Sequence, residues 1–343
     1  MSRLTYSNPR LFIGDTEIKN FSSINYKDSG NNQVTSLQVS IKDPELDGAA
    51  LMGKKVYFYL NHGSEDNVPF FIGRVRQFQP SDTALSITAR DVLTFLTGNE
   101  SPAVTLTDTV NYDGYTLAQF LYDYISTTVN KQETLIGLDM LNETDPTITL
   151  TGLRGNNLSP LKIVTDRLPK KTSNLEDLRE YRILLRNDAT TSHISFVKEQ
   201  GLDDAAVSFS FNDGIQKLNY KKRPNPNYFI TNVGDAISEY TDNSLPTGVV
   251  SGKLKKTKFD YPDEAREEAY ITARLEENRK EVTLTTSKGH YLDIGNIVQL
   301  NTPNHPELTG KHRIKAKSIK AGGTDMTCTL TLNKEQPTVG DYI

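Results

Sequence analysis

The chain has 343 residues, 36% of them hydrophobic and 24% charged, which is typical of globular proteins and allows two to four domains. Apolar runs such as residues 56–60 are strand-sized, and the N-terminus has no apolar segment of a secretory signal, so we expect no membrane span and assembly in a cytoplasm. The net charge of -4 argues against a dedicated nucleic-acid binder and favours protein partners. The single cysteine, Cys328, excludes an internal disulfide, and its alternating neighbours predict a small core residue.

The first hundred residues predict short β-strands, because apolar and polar residues alternate between clusters of Gly, Asn, Asp and Pro. Gly14-Asp15 between two apolar runs is a favoured two-residue hairpin signal. The strand positions are Leu11 and Ile13; Leu37, Val39 and Ile41; Val56, Phe58 and Leu60; Phe71 and Val75; and Leu85, Ile87 and Ala89. Five or more short strands predict a first β-barrel domain at residues 1–98.

The next region changes to a helical pattern. Thr116 is a candidate N-cap with Gln119 at the capping-box position, and apolar residues follow at helical spacing. Ser159-Pro160 has the cap-then-proline order of a second helix start. These signals predict an α+β insertion domain at residues 99–175.

Strand patterns return at residues 181–185, 194–196 and 207–211, and they predict a second β-barrel domain at 176–335, followed by a tail at 336–343. Residues 234–258 are mostly polar and predict an exposed excursion. Pro262 opens a predicted helix to residue 280, with acidic residues near its start and basic residues near its end.

Two groups of residues are candidate interfaces. Ala265, Ala269 and Ala273 form a narrow stripe on the predicted helix, for which core packing is the favoured interpretation and an intersubunit contact the alternative. A second group, Lys311, Arg313, Lys315 and Lys317, alternates strictly, so the four side chains should share one strand face. We interpret that stripe as a solvated edge strand, with contact to an acidic neighbour such as a tail tube as the alternative.

Nothing in the sequence predicts catalysis, a metal or a cofactor. The five histidines have no ligand spacing, and His193 is predicted to be an exposed strand residue. Two acidic pairs could serve a glycosidase, but a turn explains Asp203-Asp204 and the helix dipole explains Asp263-Glu264. We therefore expect no enzyme.

One strand pattern occurs twice, at residues 53–91 and 295–332. Each copy reads as strand, loop, glycine-led basic strand, turn and alternating strand, with Gly73 matched to Gly310. Glycine suits a bulge or a sharp bend where a barrel turns a corner. The pattern therefore suggests duplication of a β-barrel within a mainly β chain.

The ordered motifs resemble a known family. Phe71-Ile-Gly-Arg-Val75 and Ser86-Ile-Thr-Ala-Arg-Asp91, then the insertion, then the Glu267-Glu268-Ala269 helix and the glycine-spaced strand at 289–300, look like baseplate hub proteins of contractile-tailed phages, in particular the late-control-D-like group. The resemblance covers nearly the whole chain. It rests on ordered pattern and not on a catalytic signature.

What the resemblance implies is a homotrimeric ring in which each chain supplies two related barrels. Such a pseudo-sixfold adaptor would join a hexameric tail tube to a trimeric central spike in the virion baseplate, and it would leave a channel for the tape measure and DNA. The implied partners also include the tape measure protein and baseplate wedge proteins, without specific nucleic-acid binding. The alternatives are a carbohydrate-binding tail module, which the absence of tryptophan disfavours, and a cell-wall hydrolase.

Overall fold

A computed structural model describes most of the chain. The described residues are 9–29, 34–43, 45–60, 68–97, 104–106, 112–131, 134, 136–138, 148–151, 155–167, 181–198, 207–221, 228–241, 254, 258–266, 269, 281–322 and 325–334. Strands dominate, and thirteen of them form one large sheet. The predicted mainly β fold with a smaller α component is confirmed. None of the helices in the described ranges is long and apolar enough to cross a membrane.

The first half of the large sheet comes from the N-terminal region. Its strands are β1 (Arg10–Ile13), β2 (Thr16–Glu17), β3 (Phe21–Asp28), β4 (Ser36–Ile41), β5 (Lys55–Tyr59), β6 (Phe71–Pro80) and β7 (Leu85–Asp91). They pair antiparallel in the order β1-β5-β6-β7-β4-β3, with β2 on the outer side of β1. The predicted hairpin at Gly14-Asp15 joins β1 to β2 and is confirmed. A short helix, α1 (Gly48–Leu51), precedes β5.

Three further strands and three helical segments follow in the middle region. They are β8 (Val104–Leu106), β9 (Ile136–Gly137), β10 (Gly155–Leu158), α2 (Leu117–Tyr124), which continues as a π-helical turn (Ile125–Val129), and α3 (Pro160–Arg167). A 3-10 turn (Val92–Leu96) leads into this region from β7. The capping box of α2 is present as predicted, with Thr116 and Gln119 bonded reciprocally. Ser159 Oγ accepts from Lys162 N at 3.3 Å, so the predicted start of α3 is also confirmed.

Strands β11 (Tyr181–Asn187) and β12 (Ser192–Lys198) belong with this middle region. They pair with each other, and β12 pairs with β9. Ile194 and Phe196 are buried in one apolar cluster with α2 and α3. Our assignment of these strands to a second barrel domain at 176–335 is therefore wrong for 181–198, because strand pattern alone does not reveal which core a strand covers.

The second half of the large sheet comes from the C-terminal region. Its strands are β13 (Val207–Ser210), β14 (Lys217–Lys221), β18 (Glu281–Thr286), β19 (Ile297–Asn301), β20 (Gly310–Gly322) and β21 (Asp325–Lys334). They pair in the order β13-β19-β20-β21-β18-β14, the same order as in the first half. The two halves meet where β20 pairs antiparallel with β3, and one apolar cluster draws on both.

A separate small sheet lies between β14 and β18 in the sequence. It consists of β15 (Tyr228–Val233), β16 (Ala236–Thr241) and β17 (Lys258–Phe259). In the predicted exposed excursion from residue 234, residues 236–241 form a hairpin with β15, and 234–237, 239 and 241 are exposed. Residues 262–266 and Ala269 are helical as predicted, whereas most of 242–257 and the rest of the predicted helix to 280 lie outside the described residues.

Candidate functional site

The two halves of the large sheet share details that a common strand order alone does not require. Gly53 and Gly295 both have positive φ, at 75° and 87°, and precede equivalent strands. Gly53 N bonds to Val75 O at 3.0 Å, and Gly295 N bonds to Ile314 O at 2.8 Å. The chain makes the same turn at the same point of each half.

An arginine crosses to that turn in each half. Arg74 Nη1 donates to Gly53 O at 2.7 Å, and Arg313 Nη1 donates to Gly295 O at 2.9 Å. This match aligns the two halves: Arg74 is equivalent to Arg313, and Gly73 is equivalent to His312. Our prediction that Gly73 matches Gly310 is wrong by two residues, because the residue that the two strands share is the arginine and not the glycine.

A β-bulge interrupts the central strand of each half at the equivalent place. The register shifts after Val75 in β6 and after Ile314 in β20. Before the bulge β20 pairs with β19, and beyond it the same edge pairs with β3. The bulge thus redirects the strand from its own half to the other half, as bulges generally re-aim strands.

The same bulge overturns the predicted basic stripe. Alternation breaks between Ile314 and Ala316, and β20 lies inside the sheet with partners on both edges. Arg313 is only 3% exposed and Lys317 only 5%. The interpretation as a solvated edge strand with four side chains on one face is therefore wrong, while Lys311 and Lys315 are half-buried.

Lys317 has an internal role at the joint between the halves. Its Nζ donates to Leu292 O at 2.8 Å and lies 5.4 Å from the ring centre of Phe70. It is also 5.9 Å from the ring centre of Tyr26 on β3. The buried ammonium therefore ties a loop of the second half to aromatic side chains of the first half.

Cys328 of the large sheet and His193 of the middle region are both buried. Cys328 is fully buried in the shared apolar cluster, as predicted, and burial raises its thiol pKa to about 12. His193 is buried, contrary to our prediction of an exposed residue, and its Nε2 lies 2.7 Å from Asp188 Oδ2. Burial opposes ionisation of Asp188, but the hydrogen bonds from His193 and from the Thr190 and Thr191 backbone hold its pKa below the usual range.

The alanine stripe lies partly within the described residues. Ala265 and Ala269 are both buried, and Ala269 packs in a small cluster with Phe229 of β15. Core packing, the favoured interpretation, is confirmed for these two alanines, and Ala273 lies outside the described residues. A role for the stripe in contact between subunits stays a prediction.

A further repeat, which we did not predict from the sequence, is visible once the two halves are aligned. Ile24-Asn25-Tyr26-Lys27 on β3 and Leu218-Asn219-Tyr220-Lys221 on β14 occupy equivalent positions. Each string pairs with the neighbouring strand of its own half in the same register. A search for short identical strings outside 53–91 and 295–332 would have found it.

The face of the large sheet opposite the apolar core is lined mainly by hydroxyl and amide side chains. A continuous row runs across both halves through the paired residues Lys217, Thr285, Thr329, Ser318, Lys27, Ser36 and Arg90. Where the halves meet, this polar face has a groove of about 490 Å³, lined among others by Asn25, Gln38, Ser40, Ser86, Lys320 and Thr327. The groove can hold water and present hydrogen-bonding groups along the joint.

Among the titratable side chains near the large sheet, Asp91 has a strongly shifted pKa. Within the ranges that the structure describes, no group of three or more His, Cys, Asp or Glu side chains could hold a metal ion. Asp91 is buried, and burial raises its pKa to about 7, while the Thr35 and Leu93 backbone N–H groups donate to it. Asp91 lies at the end of β7 and caps the 3-10 turn that leads into the middle region.

Comparison with known proteins relates this geometry to solved structures. No protein-family model and no curated protein sequence matches the chain. The 43 kDa tail protein of prophage MuSo2 from Shewanella oneidensis superposes with a TM-score of 0.62 at 13% identity, over 95% of this chain and 96% of that chain. A tail protein from Neisseria meningitidis MC58 superposes with a TM-score of 0.59, also at 13% identity, over 95% and 96%.

A third structure links the fold to secretion systems. It is an E. coli component of the type VI secretion system that is described as similar to the T4 bacteriophage tail proteins gp27 and gp5. It superposes with a TM-score of 0.52 at 12% identity, over 95% of this chain and 77% of that chain. The chain therefore has the fold of phage and prophage tail proteins and of related secretion-system components, which confirms at the level of fold the resemblance found in the sequence.

Proposed function

We propose that the chain is a structural hub of a phage tail baseplate. Three copies form a ring that joins a hexameric tail tube to a trimeric central spike and leaves a channel for the tape measure and DNA. The observation that carries the proposal is the matched pair of half-sheets within one chain. Two equivalent halves in each of three copies present six similar surfaces to a sixfold partner, while the ring keeps the threefold symmetry of a spike.

The polar face is the proposed wall of the channel. Its hydroxyl and amide groups hydrogen-bond to water and offer a passing chain no apolar patch to adhere to. Basic side chains are present: Arg90 pairs with Arg74, and Arg74 pairs with Lys55, but Ser36 separates this group from Lys27. A wall of this kind lets DNA pass without the strong electrostatic retention that a continuous basic lining would give.

Catalysis is not part of the proposed role. Two of the buried ionisable groups have a structural explanation: Asp91 accepts from backbone N–H groups, and Lys317 donates to the His290 and Leu292 carbonyls. A structural hub works through shape and surface complementarity, so it needs no convergent acid, base or nucleophile.

The test is co-expression of this chain with the tail-tube and spike proteins of the same tail, followed by purification through a tag on the spike. We expect a complex that contains three copies of this chain for each spike trimer and that retains the tube protein. A chain that binds neither protein, alone or together, would contradict the hub assignment.

Lys311 and Lys315 extend this test to the tube contact. These two residues are half-buried, and we propose that they contribute to the contact with acidic groups of the tube. Replacing both with glutamate should weaken tube retention and leave spike binding unchanged. Unchanged tube retention would remove these residues from the interface and leave the hub assignment intact.

A further inference from the structure

The large sheet has four strand edges that are unpaired within the described residues: those of β2, of β13, of β14 and of the outer half of β6. The last two concern us here. At one end β14 pairs only with β18. In the first half, the outer half of β6, beyond the bulge, pairs only with β7. Unpaired backbone N–H and C=O groups at a strand edge are a template for a further strand.

The joint inside the chain shows what such an edge accepts. The outer half of β20 pairs with β3, placing Ser318 opposite Lys27 and Ile319 opposite Tyr26. The alignment of the halves makes the outer half of β6 equivalent to that of β20, and β14 equivalent to β3. These two unpaired edges are thus equivalent to the two edges that pair with each other inside each chain.

We propose that the outer half of β6 pairs antiparallel with β14 of a second copy of this chain, with Gln79 opposite Lys221 and Pro80 opposite Tyr220. This register is the internal one carried over position by position, since Gln79 is equivalent to Ser318 and Lys221 to Lys27. The inference deepens the proposed hub function and rests on it, because it names the contact that would close the ring.

Side-chain exposure favours this partner. Phe78 is 36% exposed, whereas Lys317, its equivalent inside the joint, is 5% exposed. Tyr220 is half-buried, whereas its equivalent Tyr26 is 8% exposed. The new pairing would place Phe78 diagonally across from Tyr220, as Lys317 lies from Tyr26, and would cover both aromatic side chains.

The backbone sets the limits of this contact. Ser81 N bonds to Ala84 O at 2.8 Å, so the backbone N–H of Ser81 points toward β7. Because backbone groups alternate along a strand, those of Phe78 and Pro80 point outward, away from β7. Pro80 has no N–H, and β6 ends there, whereas β20 continues to Gly322. The contact between copies is therefore shorter than the internal joint and lacks one donor, so assembly should depend on concentration.

The geometry also determines the kind of assembly. The two edges differ, so each copy uses one edge on each neighbour, which is a head-to-tail contact. Head-to-tail contacts close into a ring when the rotation permits. The proposed pairing between copies has the same register as the joint between β20 and β3 inside each chain. Joints within chains and joints between chains therefore alternate around a ring of three copies, and all have one geometry.

A disulfide trap tests the register. The double variant Gln79→Cys/Lys221→Cys places two cysteines opposite each other at a non-hydrogen-bonded pair of the proposed contact. At such pairs the Cα atoms lie about 4.5 Å apart, and a disulfide can form. Ser318→Cys with Lys27→Cys is the matched internal control, and Gln79→Cys with Lys217→Cys is the off-register control. The native Cys328 is fully buried and should not react.

The variants are oxidised at the concentration at which the wild-type assembles and then resolved under denaturing, non-reducing conditions. We expect the Gln79–Lys221 pair to give covalent species that end at the trimer, at least about ten times more abundant than from the off-register pair. The internal control should give a linked monomer.

Two outcomes would overturn the proposal, and they separate it from the hub assignment. If native mass measurement shows a trimer of three chains but the Gln79–Lys221 pair links no better than the off-register pair, this joint is wrong and the ring stands. If the chain stays monomeric at every concentration and also binds neither tube nor spike, both proposals fail.

Discussion

The two halves of the large sheet share a strand order, but β1 pairs antiparallel with β5 whereas β13 pairs parallel with β19, and the connections between strands differ. Each has the same strand order, the same turn with a positive φ and the same bulge in its central strand. Between β3 and β4 the first half has a connection of a few residues, whereas the second half carries β15 to β17 between the equivalent strands β14 and β18. The additional strands of the second half therefore lie in a connection, outside the strand order that the two halves share.

The halves also differ at the positions that form joints. Phe78 and Pro80 in the first half replace Lys317 and Ile319 of the second. The second-half residues are buried against β3, while the first-half residues are exposed. This contrast supports the proposal made above: the outer half of β20 pairs within the chain, and the equivalent outer half of β6 pairs with a second copy.

The largest effect is expected for Gly73→Ala. A Cβ at this position would lie 2.3 Å from Arg90 O, whereas the equivalent position accommodates His312. Because backbone would have to move, we expect a loss of unfolding free energy on the order of 3 kcal/mol. Chemical denaturation measures it, with Gly322→Ala as the control, since the nearest atom there is 3.3 Å away and the cost should stay below about 1 kcal/mol. Equal losses in the two variants would refute the close approach.

A smaller effect is expected when the equivalent arginines are compared. Arg313→Met leaves the Gly295 carbonyl without its donor in a buried site and should cost about 2 kcal/mol. Arg74→Met removes the matching bond from a half-buried site and should cost about 1 kcal/mol. Denaturant titration of both variants compares them, and a larger loss at Arg74 would show that burial does not set the difference.

The pH dependence of stability tests a residue that only the first half uses. Asp91 pairs with Gly73, and the equivalent residue of the second half is Lys334. The unfolded chain ionises Asp91 near pH 4, while burial raises the pKa in the folded chain to about 7. The folded state therefore holds the proton between these values, and stability should fall as pH rises through this window.

The measurement is the unfolding free energy from pH 4 to pH 8 for wild-type and Asp91→Asn. We expect the Asn variant to be less stable at pH 4, because it loses one acceptor, and to lose at least about 1 kcal/mol less than wild-type as the pH rises. Parallel pH profiles for the two proteins would exclude Asp91 as the titrating group.

The smallest change in stability is expected for Pro80→Ile, which makes the first half resemble Ile319 of the second. Restoring one N–H should leave the unfolding free energy nearly unchanged. One additional hydrogen bond at each joint between copies should strengthen each contact about threefold to tenfold. Analytical ultracentrifugation measures the concentration at which trimers form, and weaker assembly of this variant would contradict pairing at this edge.

Much of the frame was predictable from sequence because half-buried strands alternate. The hairpin at Gly14-Asp15, the capping box at Thr116 and the core position of Cys328 all follow from local rules. The duplication was visible as a strand pattern. Local periodicity and capping therefore identified most elements of the first half.

Other features depend on contacts that a linear pattern does not encode. The bulge in β20 breaks an alternation that is perfect in the sequence, so Lys317 is buried where a solvated stripe was predicted. His193 is polar yet buried, because Asp188 and Thr191 lie within hydrogen-bonding distance of it. The joint between β20 and β3 links residues about 290 positions apart, and no local signal specifies such a pairing.

The central claim is that two equivalent halves in each of three chains make a pseudo-sixfold ring. Single-particle electron microscopy of the purified chain, at a concentration where assembly occurs, tests it directly. The account predicts a closed ring of three copies with six similar half-sheets and the polar face toward the opening. A twofold dimer, an open filament, or a ring whose opening is lined by the apolar face or by a continuous band of lysines would contradict it.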